Sequence, residues 1–241
     1  MPFTTASLLR LPAQDYLQLT ASPLTNMSFS QWGEDMILDQ LFFSTHHTPR
    51  RTSPGWYVDL GCYHPIHYSN TMMLHLRGWS GINVDANPEA IALFNKMRPR
   101  DINLHSGISD TTQNTTFYKF EIGAVSTISP EQATAWQVKN GWHLQEETPI
   151  ATITVNDLLE KHLPTGKHID FLNIDLEGVD RTVIASFDLE KYKPTVIAIE
   201  LHGLDPLDAC NDITIRKLTE HGYRIRGICM ATYILEYTHN S

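Results

Sequence analysis

The residues of this chain best suited to chemistry are carboxylates and histidines standing where apolar runs end. Asp175 and Glu177 lie two apart in Ile174-Asp175-Leu176-Glu177-Gly178. In extended backbone, residues two apart face the same side. Two carboxylates in one cleft raise each other's pKa, which suits one of them to accept a proton near neutrality. Glu200 and His202 repeat the spacing after the next apolar run. His64, in Tyr63-His64-Pro65, is a further imidazole that either faces a substrate or bonds to backbone. Asp59-Leu60-Gly61-Cys62 and Val84-Asp85-Ala86 end two earlier apolar runs in an acid.

Such residues act together only if a sheet brings the run ends to one edge. Short apolar runs at 56–60, 81–85, 102–106, 168–174, 195–201, 223–229 and 232–237 read as strands. Between them come helical segments at 69–77, ended by Gly78, and at 89–97, opened by Asn87-Pro88. Further helices fit 156–163, 180–187 and 208–221. Residues 115–121 alternate like an edge strand, 130–139 fit a helix, and 151–155 fit a short strand. This order predicts an α/β protein with a doubly wound, mostly parallel seven-stranded sheet closing in a C-terminal antiparallel hairpin. That ending suits a Rossmann-like class I methyltransferase, because a dehydrogenase sheet would finish with a parallel strand. Residues 1–27 read as an N-terminal arm and 28–241 as one catalytic domain. Residues 114–149, with several aromatics, read as an insertion on the acceptor side.

In open α/β sheets, ligands sit beyond the carboxyl ends of the strands. There the chain offers an acidic crescent of Asp59, Asp85, Asp175, Glu177 and Glu200, with His202. A triphosphate would want basic groups or a Gly-rich cradle. A ligand with a cationic centre and ribose hydroxyls fits better, and S-adenosylmethionine is one. Asp85 is placed to accept a ribose diol; the alternative is a turn aspartate. Asp59 with Gly61 and Cys62 would lie near the amino-acid end, and the Ser109-Asp110 turn either meets a base edge or is an ordinary surface turn. Gln31, where the first helix begins, either closes over the ligand or packs.

Composition narrows the classes. The formal charge of −9 opposes a broad nucleic-acid footprint, which needs a basic face. No stretch approaches the roughly 18 apolar residues of a membrane span. Three cysteines and no leader-like start point to free thiols in a cytoplasmic protein. No Cys-x-x-Cys or His-Glu-x-x-His occurs, so no metal is expected. Asp175 and Glu177 could take a divalent ion, but their spacing is not specific for one.

The pieces Ser30-Gln31-x-Gly33-Glu34-Asp35, Tyr57-Val58-Asp59-Leu60-Gly61-Cys62 and His64-Pro65 with Ser69-Asn70-Thr71 are followed by Gly78-Trp79-x-Gly81-Ile82-Asn83-Val84-Asp85-Ala86-Asn87-Pro88, Arg98-Pro99-Arg100-Asp101-Ile102 and Asp170-Phe171-Leu172-x-Ile174-Asp175-x-Glu177-Gly178. Together they resemble the FkbM family of S-adenosylmethionine-dependent methyltransferases. The resemblance extends over about residues 28 to 237. It implies O-methylation of a hydroxyl on a sugar, glycan or other small molecule. It places Asp59 and Gly61 at the methionine part of the donor, Asp85 and Ala86 at the ribose, and Asp175 where donor and acceptor meet. Pro65 departs from the family pattern, where many members have glycine; proline has no N–H to donate. Asp175 is then the first candidate base, with Glu177 or His202 as partner and His64 behind. Two other readings stay open. One is a non-catalytic module of the same fold; the other is a nicotinamide oxidoreductase, although the glycine fingerprint it needs is absent.

Overall fold

A computed structural model describes residues 27–44 and 53–238. The expected arm up to residue 26 lies outside the described residues.

The chain runs α1 (Glu34–Phe43), β1 (Trp56–Leu60), α2 (Met72–Leu76), β2 (Ser80–Asp85), α3 (Pro88–Met97), β3 (Ile102–His105), β4 (Gly107–Ile108) and β5 (Asn114–Phe120). It continues through α4 (Pro130–Ala135), β6 (Leu144–Ile153), α5 (Val155–His162), β7 (Phe171–Ile174), α6 (Asp180–Ser186) and α7 (Leu189–Tyr192). It closes with β8 (Val196–Glu200), α8 (Ile213–Glu220), β9 (Tyr223–Cys229) and β10 (Thr232–Tyr237).

Seven strands form one sheet in the order β3-β2-β1-β7-β8-β10-β9. β1 pairs in parallel with β2 and β7, and β7 with β8, while β10 is antiparallel to both β8 and β9. Every residue of β1 is buried, as befits a central parallel strand covered on both faces. From β1 the chain winds outward through β2 and β3, then returns to place β7 on its other side. The winding therefore reverses between β1 and β7, which opens a crevice at their carboxyl ends.

Two cores flank the sheet. Val58, Leu60, Ile82, Leu172, Ile174 and Ile197 face α5, α6 and α8 through Leu158, Val183, Ile184 and Leu218. Tyr57, Phe171, Val196 and Ile234 face α1 through Leu38 and Phe42, with Trp79 alongside. The alternation of Tyr57 and Val58 between the two cores is the period of two that defines a strand. Among the described residues no helix is long and apolar enough to cross a membrane.

Several expected boundaries move. The short strand expected at 151–155 is the end of a longer one, β6, which pairs antiparallel with β5 and parallel with β4 in a second sheet. The helix expected at 130–139 stops at Ala135 and widens into a π turn over Trp136–Asn140, closed by Gly141 at φ 68°. The helix expected at 208–221 breaks because Asp212 caps Thr214 and Ile215, so a 3-10 turn (Pro206–Asn211) precedes α8. The helix expected at 69–77 shortens to α2 because Ser69 and Thr71 are committed to side-chain hydrogen bonds.

Candidate active site

A cavity of about 810 Å³ lies at the carboxyl ends of β1, β2, β7 and β8. The β5–α4–β6 insertion contributes Phe117, Gly123 to Ile128, Trp136 and Trp142 to its walls. Of the site residues expected from sequence, Gln31, Asp59, Gly61, Cys62, Asp85, Ala86, Asp175, Glu177 and His202 line it.

The turn after β1 is built for close approach. Gly61 has φ 80°, and a Cβ there would lie 1.7 Å from the carbonyl oxygen of Asp175. The Gly61 and Cys62 N–H groups both donate to the Val84 carbonyl, at 2.9 and 3.1 Å. The turns after β1, β2 and β7 thus meet at a point where no side chain fits. Cys62 is buried and packs on Ile91 and Phe94, and burial pushes its thiol well above the ordinary range. It is a packing residue on the cavity wall, without the thiolate character that a nucleophile needs.

Asp59 is 2% exposed and forms part of the cavity floor. Its carboxylate accepts from Thr71 Oγ1 at 2.7 Å and from Asn173 Nδ2 at 2.9 Å. Burial pushes its pKa up, and these two hydrogen bonds and the nearby Arg98 charge oppose the rise. Its reach toward a ligand runs chiefly through those neighbours.

Asp85 accepts from the Tyr63 N–H and the Asn87 N–H, both at 2.7 Å. A carboxylate has about four lone-pair sites, so two remain for a diol. Burial pushes its carboxyl up to about 6, against the pull of the two amides. Ala86 continues the wall, its carbonyl 2.9 Å from His105 Nε2.

Across the cavity, the parallel register of β7 and β8 gathers Asp175, Glu177, Glu200 and His202. His202 Nε2 lies 3.0 Å from Glu200 Oε2 and 3.8 Å from Glu177 Oε2. These two oxygens and Asp175 Oδ1 are buried without a hydrogen bond. Burial and the charges of Glu200, Glu177 and Asp180 push the Asp175 carboxyl well above the carboxylate range. Burial also pushes Glu177 up, to about 7, while His202 holds it down. The carboxylates of Glu177 and Glu200 push His202 up to about 10. That rise favours the imidazolium, which pairs with Glu177 and Glu200 as their counter-ion. Ligand-type atoms of Glu177, Glu200 and His202 lie within 4.8 Å of one another. The same two carboxylates and imidazole could hold a cation; between themselves they form an ion triad.

The insertion is fastened to this side of the site. Thr127 Oγ1 donates to the Glu177 carbonyl at 2.7 Å, where Glu177 has φ 49°. Trp136 and Trp142 pack at 4.9 Å between ring centroids, and Trp136 meets the edge of His202 at 6.0 Å.

Three expected positions fall elsewhere. His64 is not on the cavity wall; its Nδ1 accepts from the Ile66 and His67 N–H groups, both at 3.0 Å, which closes a local turn. Ser109 and Asp110 bond to each other at 3.0 Å beyond the wall, and Ser106, Gly107 and Ile108 line it instead. The shift arises because β3 ends at His105 and the chain then pairs β4 with β6. Asn70, Asn173 and Tyr68 line the cavity without any expectation from sequence. An isolated Asn inside a buried strand could have marked Asn173, since a buried amide needs a polar partner.

The methyltransferase FkbM domain model matches residues 59–225. A methyltransferase FkbM from Methylobacillus flagellatus KT is 12% identical with a TM-score of 0.45, over 83% of this chain and 47% of that one. This chain thus spans about half the length of that protein. A TehB-like SAM-dependent methyltransferase from Corynebacterium glutamicum ATCC 13032 Kitasato is 11% identical with a TM-score of 0.41, over 94% of this chain and 96% of that one. No curated protein matches the chain.

Proposed function

This chain belongs to the FkbM methyltransferase domain family, and we propose that it moves a methyl group from S-adenosylmethionine to a hydroxyl of a sugar, glycan or other small natural product. The observation that supports this reading is one cavity lined by Asp85 on one wall and by Asp175, Glu177, Glu200 and His202 on the other. When bound, the donor supplies an electrophilic methyl on a sulfonium. The residues present fit such a group. The tight turn at Gly61 leaves the floor open, Asp85 has free lone pairs for the ribose, Ser106 to Ile108 offer a wall for the base, and the acidic crescent suits the positive sulfur.

A hydroxyl is a weak nucleophile at neutral pH, so a positioned base near pKa 7 is worth about 10²–10⁴-fold. Glu177, at about 7, meets that need. Asp175, the first candidate by position, lies in the same cluster, where burial and the neighbouring carboxylates favour its protonated form, and it serves as a hydrogen-bond partner of the acceptor oxygen. His202 balances the charge that Glu177 and Glu200 would otherwise concentrate. Trp136 and Trp142 offer flat faces on the acceptor side, which suit the C–H faces of a sugar ring and exclude water.

The test is turnover. The purified chain, S-adenosylmethionine and a panel of hydroxylated sugars and glycosides should release S-adenosylhomocysteine with one acceptor class, and Glu177→Gln should abolish most of that release. Donor binding without turnover on any acceptor would favour a non-catalytic module.

A further inference from the structure

We infer that Arg98 is the positioning residue for the donor side of the cavity, a buried guanidinium that fastens the loop between β1 and α2 from beneath. The inference rests on the donor reading above for its effect on affinity, and on geometry alone for its effect on the loop.

Arg98 follows the last turn of α3, where its N–H closes on the Phe94 carbonyl, and it is 1% exposed. Its Nη1 donates to Thr71 Oγ1 at 2.8 Å, and its Nη2 donates to Ser69 Oγ at 2.9 Å and to the Pro65 carbonyl. All three acceptors belong to the segment 62–71. Arg98 does not itself reach the cavity, whereas Tyr63, Tyr68, Ser69 and Asn70 of that segment line it. Pro65, which cannot offer an N–H to a ligand, instead offers its carbonyl to the guanidinium.

The contact propagates. Thr71 Oγ1, which accepts from Arg98, donates to Asp59, and Asp59 also accepts from Asn173. Asn173 Oδ1 in turn accepts from Asn70 Nδ2 at 2.9 Å, which returns the chain of bonds to the cavity wall. The buried charge of Arg98 is opposite in sign to that of Asp59, and each offsets the other's burial. The segment needs such a tether. Tyr63 and Tyr68 hold φ at 50° and 57°, conformations that L residues seldom adopt, and their rings stack at 6.2 Å. A planar fork reaching several oxygens is a task for arginine; a lysine ammonium is a single point of charge.

The experiment compares the full chain with Arg98→Gln, Arg98→Lys and Thr71→Val. It reads amide hydrogen exchange over residues 62–71 without ligand, and the Kd for S-adenosylhomocysteine. In Arg98→Gln we expect exchange in 62–71 to quicken, with β8 unchanged, and the Kd to weaken by about tenfold or more. Arg98→Lys, which keeps the charge but not the fork, should recover part of the affinity. Should Arg98→Gln not fold, Thr71→Val, which keeps the guanidinium but removes both the Arg98–Thr71 and the Thr71–Asp59 hydrogen bonds, decides by exchange over 62–71. Unchanged exchange over 62–71 in a folded variant overturns the proposal, as does a loosened loop with unchanged affinity. A wild-type chain that does not bind S-adenosylhomocysteine removes the donor reading, and exchange alone then decides whether Arg98 fastens the loop.

Discussion

The Cβ that Gly61 lacks would sit 1.7 Å from the carbonyl oxygen of Asp175. The turn after the first strand and the turn that starts the acid cluster are therefore in backbone contact. Gly61→Ala must shift Asp175 or abandon the turn. The positive φ alone costs about 1–2 kcal/mol for an L residue, and the clash adds to it. We expect a lowered Tm together with loss of donor binding, measured by thermal unfolding and calorimetry on the same preparation. A variant with wild-type Tm and affinity would show that the two turns are independent.

On the proposed reading, Asp85 holds the ribose and sets the pH dependence of donor binding. Its carboxyl is raised to about 6, so it is ionised at pH 8 and protonated at pH 5. The ionised form accepts the ribose hydroxyls. Affinity for S-adenosylhomocysteine should therefore fall as pH drops from about 7 to about 5, and Asp85→Asn should be weak at all pH and lack that slope. Calorimetry across the range checks both curves; a wild-type Kd flat through pH 6 would remove Asp85 from the ribose.

Glu177 and His202 predict a pH–rate profile. Turnover should rise with pH through about 7 as Glu177 loses its proton. Removing the imidazolium in His202→Asn takes away the charge that favours the ionised form, so the same limb should move to higher pH. Glu177→Gln should lower kcat by about 10²–10⁴ and leave the donor Kd unchanged. A limb that stays in place in His202→Asn would show that the base lies elsewhere.

Trp136 is the place to test acceptor recognition. Trp136→Ala opens the wall beside His202 and Trp142 without touching the donor side. The acceptor KM should rise by about tenfold, with the donor Kd within twofold of wild type. Equal losses on both sides would mean that the insertion holds the whole site together.

Much of this arrangement was legible in the chain because an acid ending an apolar run is a local pattern. Asp59, Asp85, Asp175 and Glu177 were found that way, and the sheet order followed from the alternation of strands and helices. What depends on register between distant segments was not legible. The ion triad joins residues from two strand ends through β7–β8 pairing, with no linear motif to announce it. His64 looked available because Tyr-His-Pro gives no hint that two backbone amides claim its Nδ1. Ser109 and Asp110 were displaced from the wall by a pairing of β4 with β6 that a two-residue strand does not advertise. Charge states were the least visible part, since the rise of the Asp175 and Glu177 carboxyls comes first from burial, which spacing does not show.

The most direct test of the account is calorimetry of the purified chain with S-adenosylhomocysteine, with NAD as the parallel titrant and Asp85→Ala as the control protein. The account predicts one-to-one binding of S-adenosylhomocysteine by the wild type, at least about tenfold weaker binding by Asp85→Ala, and no binding of NAD. Wild-type protein that binds NAD instead, or that binds neither, would contradict it.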